Sequence, residues 1–532
     1  MISRVRNVVN SVMGGLAALP QPPERPQPDD LELKYPYCRP EFLQLSQDEI
    51  QVSADHVSRP IMVPREPNRL PWSAGYAEVI NAGKSPRNED QAATAQLCIS
   101  RPARTPNRNT NKANNKGNNG NSGEDNPHQE AMAEEEEVRY NTDVEELHFT
   151  YFGVFDGHAG TGAAIMASRT LHYHIRDKMT DVSELLLPVT YEGMEQNHPG
   201  AGSKNGSGSG KPSSRVITKE HLIIGALERS FCEMDSQIER ERLTFRITGG
   251  CTALVAVFVL GKLFLVNAGD SRAVLCRNGE AIPMSRDFTP ESERQRLQYL
   301  AHLHPHLLYN EFTALEFPRR LHKTDLGKQT LYRDHTMTGW APKTVTEDDL
   351  KFPLIFGEGK RCRVLATIGV TRGFGDHDLR VYDSHCLIKP FLTAAPEIQT
   401  YDMLEQRFGE DDFLIMASDG LWDVVANQDA CNVVLDALTQ FHPQDPNRYT
   451  SAAQELVMHA RGTLQGKGWR RPAEDKPASG DDITAFIIPL YHYGNQHLSS
   501  PIVLSESEES STREMETETE AEADPGPDSL DP

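Results

Sequence analysis

Two apolar runs that each lead into an aspartate constrain this chain more than any other feature. Phe149-Thr-Tyr-Phe-Gly-Val-Phe155 leads into Asp156, and Phe413-Leu-Ile-Met-Ala417 leads through Ser418 into Asp419. Both runs have the length and the aromatic or branched content of strands, and residues 251–259, 262–268, 273–276 and 483–489 read the same way. Leu260-Gly261 and Arg277-Asn278-Gly279-Glu280 are turn signals between neighbouring runs, so much of the sheet is expected to be antiparallel. Helical periodicity covers residues 160–175 and 222–238, the second with Ile223, Leu227, Phe231, Met234 and Ile238 on one face. Strand hairpins interspersed with long helices predict a layered α+β domain.

Five acidic clusters lie beside these runs or beside glycine turns: Asn88-Glu89-Asp90, Asp156-Gly157-His158, Asn267-Ala-Gly-Asp270-Ser-Arg272, Ser418-Asp419-Gly-Leu-Trp-Asp423 and Gly480-Asp481-Asp482. Taken singly, an Asp-Gly after a strand is a common turn. If the strand ends converge, four or more carboxylates share one site, and their repulsion demands cations. An all-oxygen donor set without an accompanying His/Cys group suits Mg2+ or Mn2+. Two such ions can activate a water and clamp a phosphoryl group for in-line attack.

With Phe155-Asp-Gly-His-Ala-Gly160, Gly249-Gly-Cys-Thr252 and Thr371-Arg-Gly-Phe-Gly-Asp376 added in order, the set resembles the metal-dependent protein phosphatase 2C (PPM) family. The stretch from Leu70 to Lys84 and the N-terminal residues further resemble its H/J/M branch. The resemblance implies a four-layer α/β/β/α sandwich of two antiparallel sheets flanked by helices, carrying an enlarged flap lobe. It implies a protein serine/threonine phosphatase in which a water bridging two Mg2+ or Mn2+ ions attacks phosphorus directly. Asp156 would bridge the ions, Asp419 and Asp481 would complete one site, and Glu89 with the Gly157 carbonyl would serve the other. Asp270 and Asp423 would join Asp419 around a weaker third ion. Asp90 would orient the ligands, Thr252 would bond to the water network, and His158 would act as general acid.

There are two departures from the family pattern. Ser85 stands where the family commonly has a phosphate-gripping Arg, so Lys84 is the expected replacement and Arg87 the alternative. A Lys holds phosphate as a point charge without the bidentate fork. Residues 291–360 replace a shorter flap, and Leu307, Leu308, Phe312, Leu315, Phe317, Tyr332, Trp340 and Phe352 are expected to give this lobe a core that selects protein substrates. His302, His304 and His306 within it are read as incidental. A catalytically weak phosphoprotein-binding scaffold is the alternative function, and it would be favoured by a missing ligand carboxylate; Glu89, Asp156, Asp419 and Asp481 are all present. A small-molecule phosphatase fits poorly with a large ordered lobe.

The rest of the chain frames this domain, expected at residues 70–492. Residues 1–19 carry apolar positions on one helical face with Arg4 and Arg6, the pattern of an amphipathic helix able to lie on a membrane surface, and they do not read as a cleaved signal. Residues 20–69 are a proline-rich linker and N-terminal extension. Stretches of low complexity at about 101–140 and 198–214 are expected to be disordered insertions, and residues 493–532 an acidic tail. That tail holds eleven Asp or Glu against the single Arg513 from Pro501 onward, close to half of the net charge of -23. The sign excludes nucleic acid as a partner. Eight scattered cysteines without CxxC spacing read as reduced thiols in a cytoplasmic or nuclear protein. Phosphoproteins are the expected partners, with membrane-associated small GTPases as a substrate class.

Overall fold

The computed structural model describes residues 34–100, 146–187, 217–404, 407–466, 468–471 and 476–496. The expected N-terminal helix, the two low-complexity insertions and nearly all of the acidic tail lie outside these residues. Ten strands form two five-stranded antiparallel sheets. One has β1 (Gly75–Val79) at its edge, then β13 (Ile483–Pro489), β12 (Phe413–Ala417), β8 (Arg272–Arg277) and β9 (Glu280–Pro283). The other runs β11 (Glu397–Asp402), β7 (Lys262–Ala268), β6 (Ala253–Val259), β3 (Glu146–Phe155) and β2 (Gln91–Ser100).

Strand periodicity sorts the side chains into layers. Along β6, Ala253, Val255, Val257 and Val259 face helices α1 (Gly162–Asp181) and α2 (Lys219–Phe245), packing with Leu171, Leu227 and Phe231. The alternate residues Leu254, Ala256 and Phe258 face the opposing sheet, meeting Phe152, Met416 and Phe486. On β12 the same alternation sends Phe413 and Ile415 toward α4 (Asn427–Leu438) and α5 (Arg448–Arg461), and Leu414 and Met416 between the sheets. The strands read as continuous apolar runs because both faces of each sheet are covered. The layers are therefore α/β/β/α, as expected.

The boundaries differ from the expected ones at three places. Residues 39–59, assigned to a linker and extension, are part of the domain: Leu43 packs between the sheets, and Arg39 and Arg59 are buried. Their ordering comes from long-range polar pairing that composition does not reveal. At the far end Tyr493, assigned to the tail, is buried and accepts a hydrogen bond from Gly261 N at 3.0 Å. The flap lobe has its own core, formed by α3 (Arg294–Leu303) and the segments after it, and that core continues past residue 360 through Val364, Ile388 and Phe391. Leu308 and Phe312 lie in it as expected, whereas Trp340 is 40% exposed.

Candidate active site

Strand ends deliver the carboxylates to one end of the sandwich. Asp156 follows β3 directly, and its backbone is pinned by Thr252, whose N–H donates to Asp156 O at 2.9 Å and whose Oγ1 accepts from Asp156 N at 3.2 Å. Thr252 Oγ1 also meets Ser271 Oγ at 2.8 Å, so this hydroxyl is engaged in holding the loops of Asp156 and Asp270. Asp419 begins a helical turn after β12, and its N–H reaches Asp156 Oδ2 at 3.4 Å. Carboxylate oxygens of Asp156, Asp270 and Asp419 all lie within 4.8 Å of one another.

That crowding has an electrostatic signature. Burial, then the charges of Asp90 and Asp419, push the Asp156 carboxyl well above its ordinary range. Burial followed by Asp419 does the same to Asp270, and burial followed by Asp481 raises Asp419. Such carboxylates ionise together only with cations between them. Two lysines already approach. Lys84 pairs with Asp481. Burial alone would lower its ammonium, but Asp481, with Asp419 and Asp156 beyond, carries it above the usual lysine value. Lys360, from the flap-lobe turn Gly359–Arg361, pairs with Asp423. The donor set is all oxygen, anionic and close-spaced, which fits hard divalent cations.

Glu89 and Asp481, expected in the same shell, are anchored by a common neighbour. Asp482 accepts from Asn81 N at 2.8 Å through Oδ1 and from Glu89 N at 3.1 Å through Oδ2, tying the Glu89 loop to the strand end that carries Asp481. Glu89 Oε1 accepts from Gly160 N at 2.7 Å. Gly157 lies directly against this loop, since a Cβ there would sit 2.3 Å from Glu89 O. Asp90 is buried and accepts from Ser418 Oγ at 2.7 Å, which orients the residue preceding Asp419. Arg87, the alternative phosphate ligand, instead stacks over the Tyr37 ring at 4.6 Å. Of the two basic candidates, only Lys84 is brought to the carboxylates.

His158 sits in the short strand β4 (Gly157–His158), which joins β5 (Gly250–Cys251) and β10 (Phe374–Gly375) in a small three-stranded sheet. Its Nε2 meets Asp376 Oδ2 at 2.7 Å. Burial by itself would lower the imidazole pKa, but the Asp376 bond and charge carry it above the ordinary histidine value. Asp376 stood in a quoted motif without an assigned role.

Two buried arginines brace the loops of Asp90 and Asp481. Arg39 forms a two-point pair with Glu78 and donates to Asp90 O at 2.7 Å. Arg59 donates to Ile80 O at 2.6 Å, Ser479 O at 2.7 Å and Asp481 O at 2.8 Å. Nothing local in sequence marks either, because the Arg39 partners Glu78 and Asp90 lie about forty to fifty residues on and two of the Arg59 acceptors are backbone carbonyls more than four hundred residues away.

A two-sheet sandwich with carboxylates gathered at its strand ends is the frame of a protein phosphatase, and the Protein phosphatase 2C family model matches residues 119–302 and 356–464. The chain belongs to the protein phosphatase 2C family, which dephosphorylates serine and threonine in proteins. Within it the chain matches relatives of the H and J kind. Protein phosphatase 1H of Xenopus tropicalis is 50% identical over 522 residues, 93% of this chain and 100% of the relative. The Homo sapiens 1H protein is 50% identical over 527 residues with the same coverage, and Protein phosphatase 1J of Mus musculus is 46% identical over 470 residues, 87% of each chain. A crystal structure of serine-threonine phosphatase 2C from Toxoplasma gondii aligns at 16% identity with a TM-score of 0.39, covering 81% of this chain and 99% of that chain. Among the described residues no helix is long and apolar enough to cross a membrane.

Proposed function

We propose that this phosphatase is metal-dependent and hydrolyses phosphoserine and phosphothreonine in proteins without a covalent intermediate. The observation that carries this reading is the grouping of Asp156, Asp270 and Asp419 within 4.8 Å, each held where burial resists its charge. Asp156, Asp419, Asp481 and Glu89, with the Gly157 carbonyl, would hold two Mg2+ or Mn2+ ions, and Asp270 and Asp423 a weaker third. When bound, the ions supply an activated water and neutralise the phosphoryl charge.

The chain's own residues supply the rest. Lys84 presents one positive charge to the phosphate beside Asp481. Asp90 and Asp482 keep the ligand loops in place. His158, held by Asp376, gives its proton to the Ser or Thr oxygen as the bond from phosphorus to that oxygen breaks and the water oxygen bonds to phosphorus. An alkoxide is a poor leaving group, so this proton matters most for alkyl phosphates.

The substrates proposed are phosphoproteins, including membrane-associated small GTPases. The flap lobe supports protein docking: beside Arg361 it carries a cleft of about 750 Å3 lined by Phe317, Arg320, Arg333, Trp340 and Phe356. Aromatic and arginine side chains of this kind dominate binding hot spots. The test is hydrolysis of a phosphothreonine peptide and of a small aryl phosphate by chelator-treated protein with Mn2+ added back. Activity restored by Mn2+ and absent in Asp156→Ala supports the reading, and activity that survives chelation overturns it.

A further inference from the structure

The His158–Asp376 pair depends on a peptide unit that is gripped from outside the site. Asp376 has φ of 56° and follows Gly375 at 82°, both in the left-handed region. That conformation is costly for an aspartate and persists only where the surroundings hold it. From below, Asp376 N donates to Gly249 O at 3.1 Å, and β10 pairs with β5, which pairs in turn with β4 and His158. The fit is close: a Cβ on Gly250 would lie 2.2 Å from Asp376 Oδ2 and 2.8 Å from His158 Nε2.

The Gly375 backbone, on both sides of its Cα, is held by two charged side chains that touch neither the carboxylate cluster nor His158. Asp235, in the middle of α2, accepts from Gly375 N at 2.9 Å. The same Oδ1 accepts from Lys389 Nζ at 2.8 Å and meets His377 Nε2 at 3.1 Å. Lys389 Nζ closes the grip by donating to Gly375 O at 2.7 Å. The N–H and the C=O of one residue are thus each bonded to a member of one ion pair, whose side chains are only 18% and 12% exposed. A surface ion pair could serve folding anywhere; this one clasps the residue before Asp376.

We propose that Asp235 and Lys389 are positioning residues for proton donation: they fix the Gly375 peptide, which aims Asp376 at His158 Nε2 and leaves Nδ1 to face the departing oxygen. The inference rests on the general-acid role proposed for His158, and the experiment separates the two. Loss of proton donation lowers turnover on an alkyl phosphate, whose leaving oxygen needs the proton, and matters little for p-nitrophenyl phosphate, whose leaving group does not. A merely structural defect lowers both together.

The experiment measures kcat and KM of full-length Asp235→Asn, Lys389→Met and Lys389→Arg with saturating Mn2+, on a phosphothreonine peptide and on p-nitrophenyl phosphate, against His158→Ala. The expected result is that the ratio of peptide to aryl phosphate kcat falls about tenfold or more in Asp235→Asn and Lys389→Met, with peptide KM little changed, and is partly restored in Lys389→Arg. In a His158→Ala background neither substitution lowers the ratio further. If the ratio falls in His158→Ala but stays at the wild-type value in Asp235→Asn and Lys389→Met, the positioning role is overturned. An unchanged ratio in His158→Ala overturns the general-acid reading beneath it. Because Lys389 is at the edge of the core, its two variants decide the matter even if Asp235→Asn does not fold.

Discussion

Lys84 is the cation proposed to meet the phosphate, held against Asp481 and under the field of Asp419 and Asp156. Replacing it with Ala removes one charge that a phosphate group meets before chemistry begins. KM for a phosphothreonine peptide is expected to rise about tenfold with a smaller change in kcat, the pattern of lost uniform binding. Steady-state kinetics that match wild type would contradict the assignment. Gly250 tests the same region through space, not charge. A methyl there enters the gap between Asp376 and His158, so Gly250→Ala is expected to cost about a hundredfold in peptide turnover, as misplacement of reacting groups by about 1 Å does. Turnover close to wild type in a folded variant would mean that the pair is not part of the reaction. At this scale strand ends and glycine turns marked Asp156, Asp270, Asp419 and Asp481 in the sequence, and the fold brings the first three within 4.8 Å of one another. The sequence assigned no role to Asp376, Asp235, Arg39 or Arg59, whose roles come from contacts across the fold.

Among the elements, helix α1 carries a testable pH dependence. His172 lies half-buried beside the Tyr151 ring, and its Nδ1 is buried without a partner. Burial, reinforced by the charge of Arg176 one turn on, pushes its imidazole down to about 4. The unfolded chain therefore binds a proton that the folded chain refuses. Its contribution is complete above about pH 6.5 and is lost as pH falls toward 4, up to about 3 kcal/mol. Urea unfolding of wild type and His172→Leu should diverge in their pH dependence over that window, wild type falling more steeply; parallel curves would contradict the assignment. Element positions themselves were legible where both faces of a strand are covered: the runs at 413–417 and 483–489 coincide with β12 and β13. The flap lobe was recognised as ordered, but its closing edge was not, because Val364, Ile388 and Phe391 lie beyond the residues that interrupt the family pattern.

For the whole molecule, the proposed metal centre would link folding to cation supply. Asp156, Asp270 and Asp419 oppose one another in the cation-free state, so a divalent ion bound there would stabilise the folded chain by an amount that grows with its concentration. At a hundred times the dissociation constant this reaches about 2.7 kcal/mol, enough to raise the melting temperature by several degrees. Chelation should reverse the shift in wild type, and Asp156→Ala should show little shift at all. A melting temperature indifferent to Mn2+ in both proteins would argue against a metal at this end of the sandwich. The flap lobe acts at the same scale, standing beside the site and reaching it through the pairing of Lys360 with Asp423. Exchanging the lobe for a short loop is expected to lower activity on a phosphoprotein far more than on an aryl phosphate, and an equal change on both would remove its role in choosing substrates.

The central claim, that the converging carboxylates form the metal centre of this phosphatase, is tested most directly by calorimetric titration of Mn2+ into chelator-treated wild type and folded Asp156→Ala. The account predicts at least two binding events in wild type and the loss of at least one in the variant. Identical isotherms for the two proteins would contradict it.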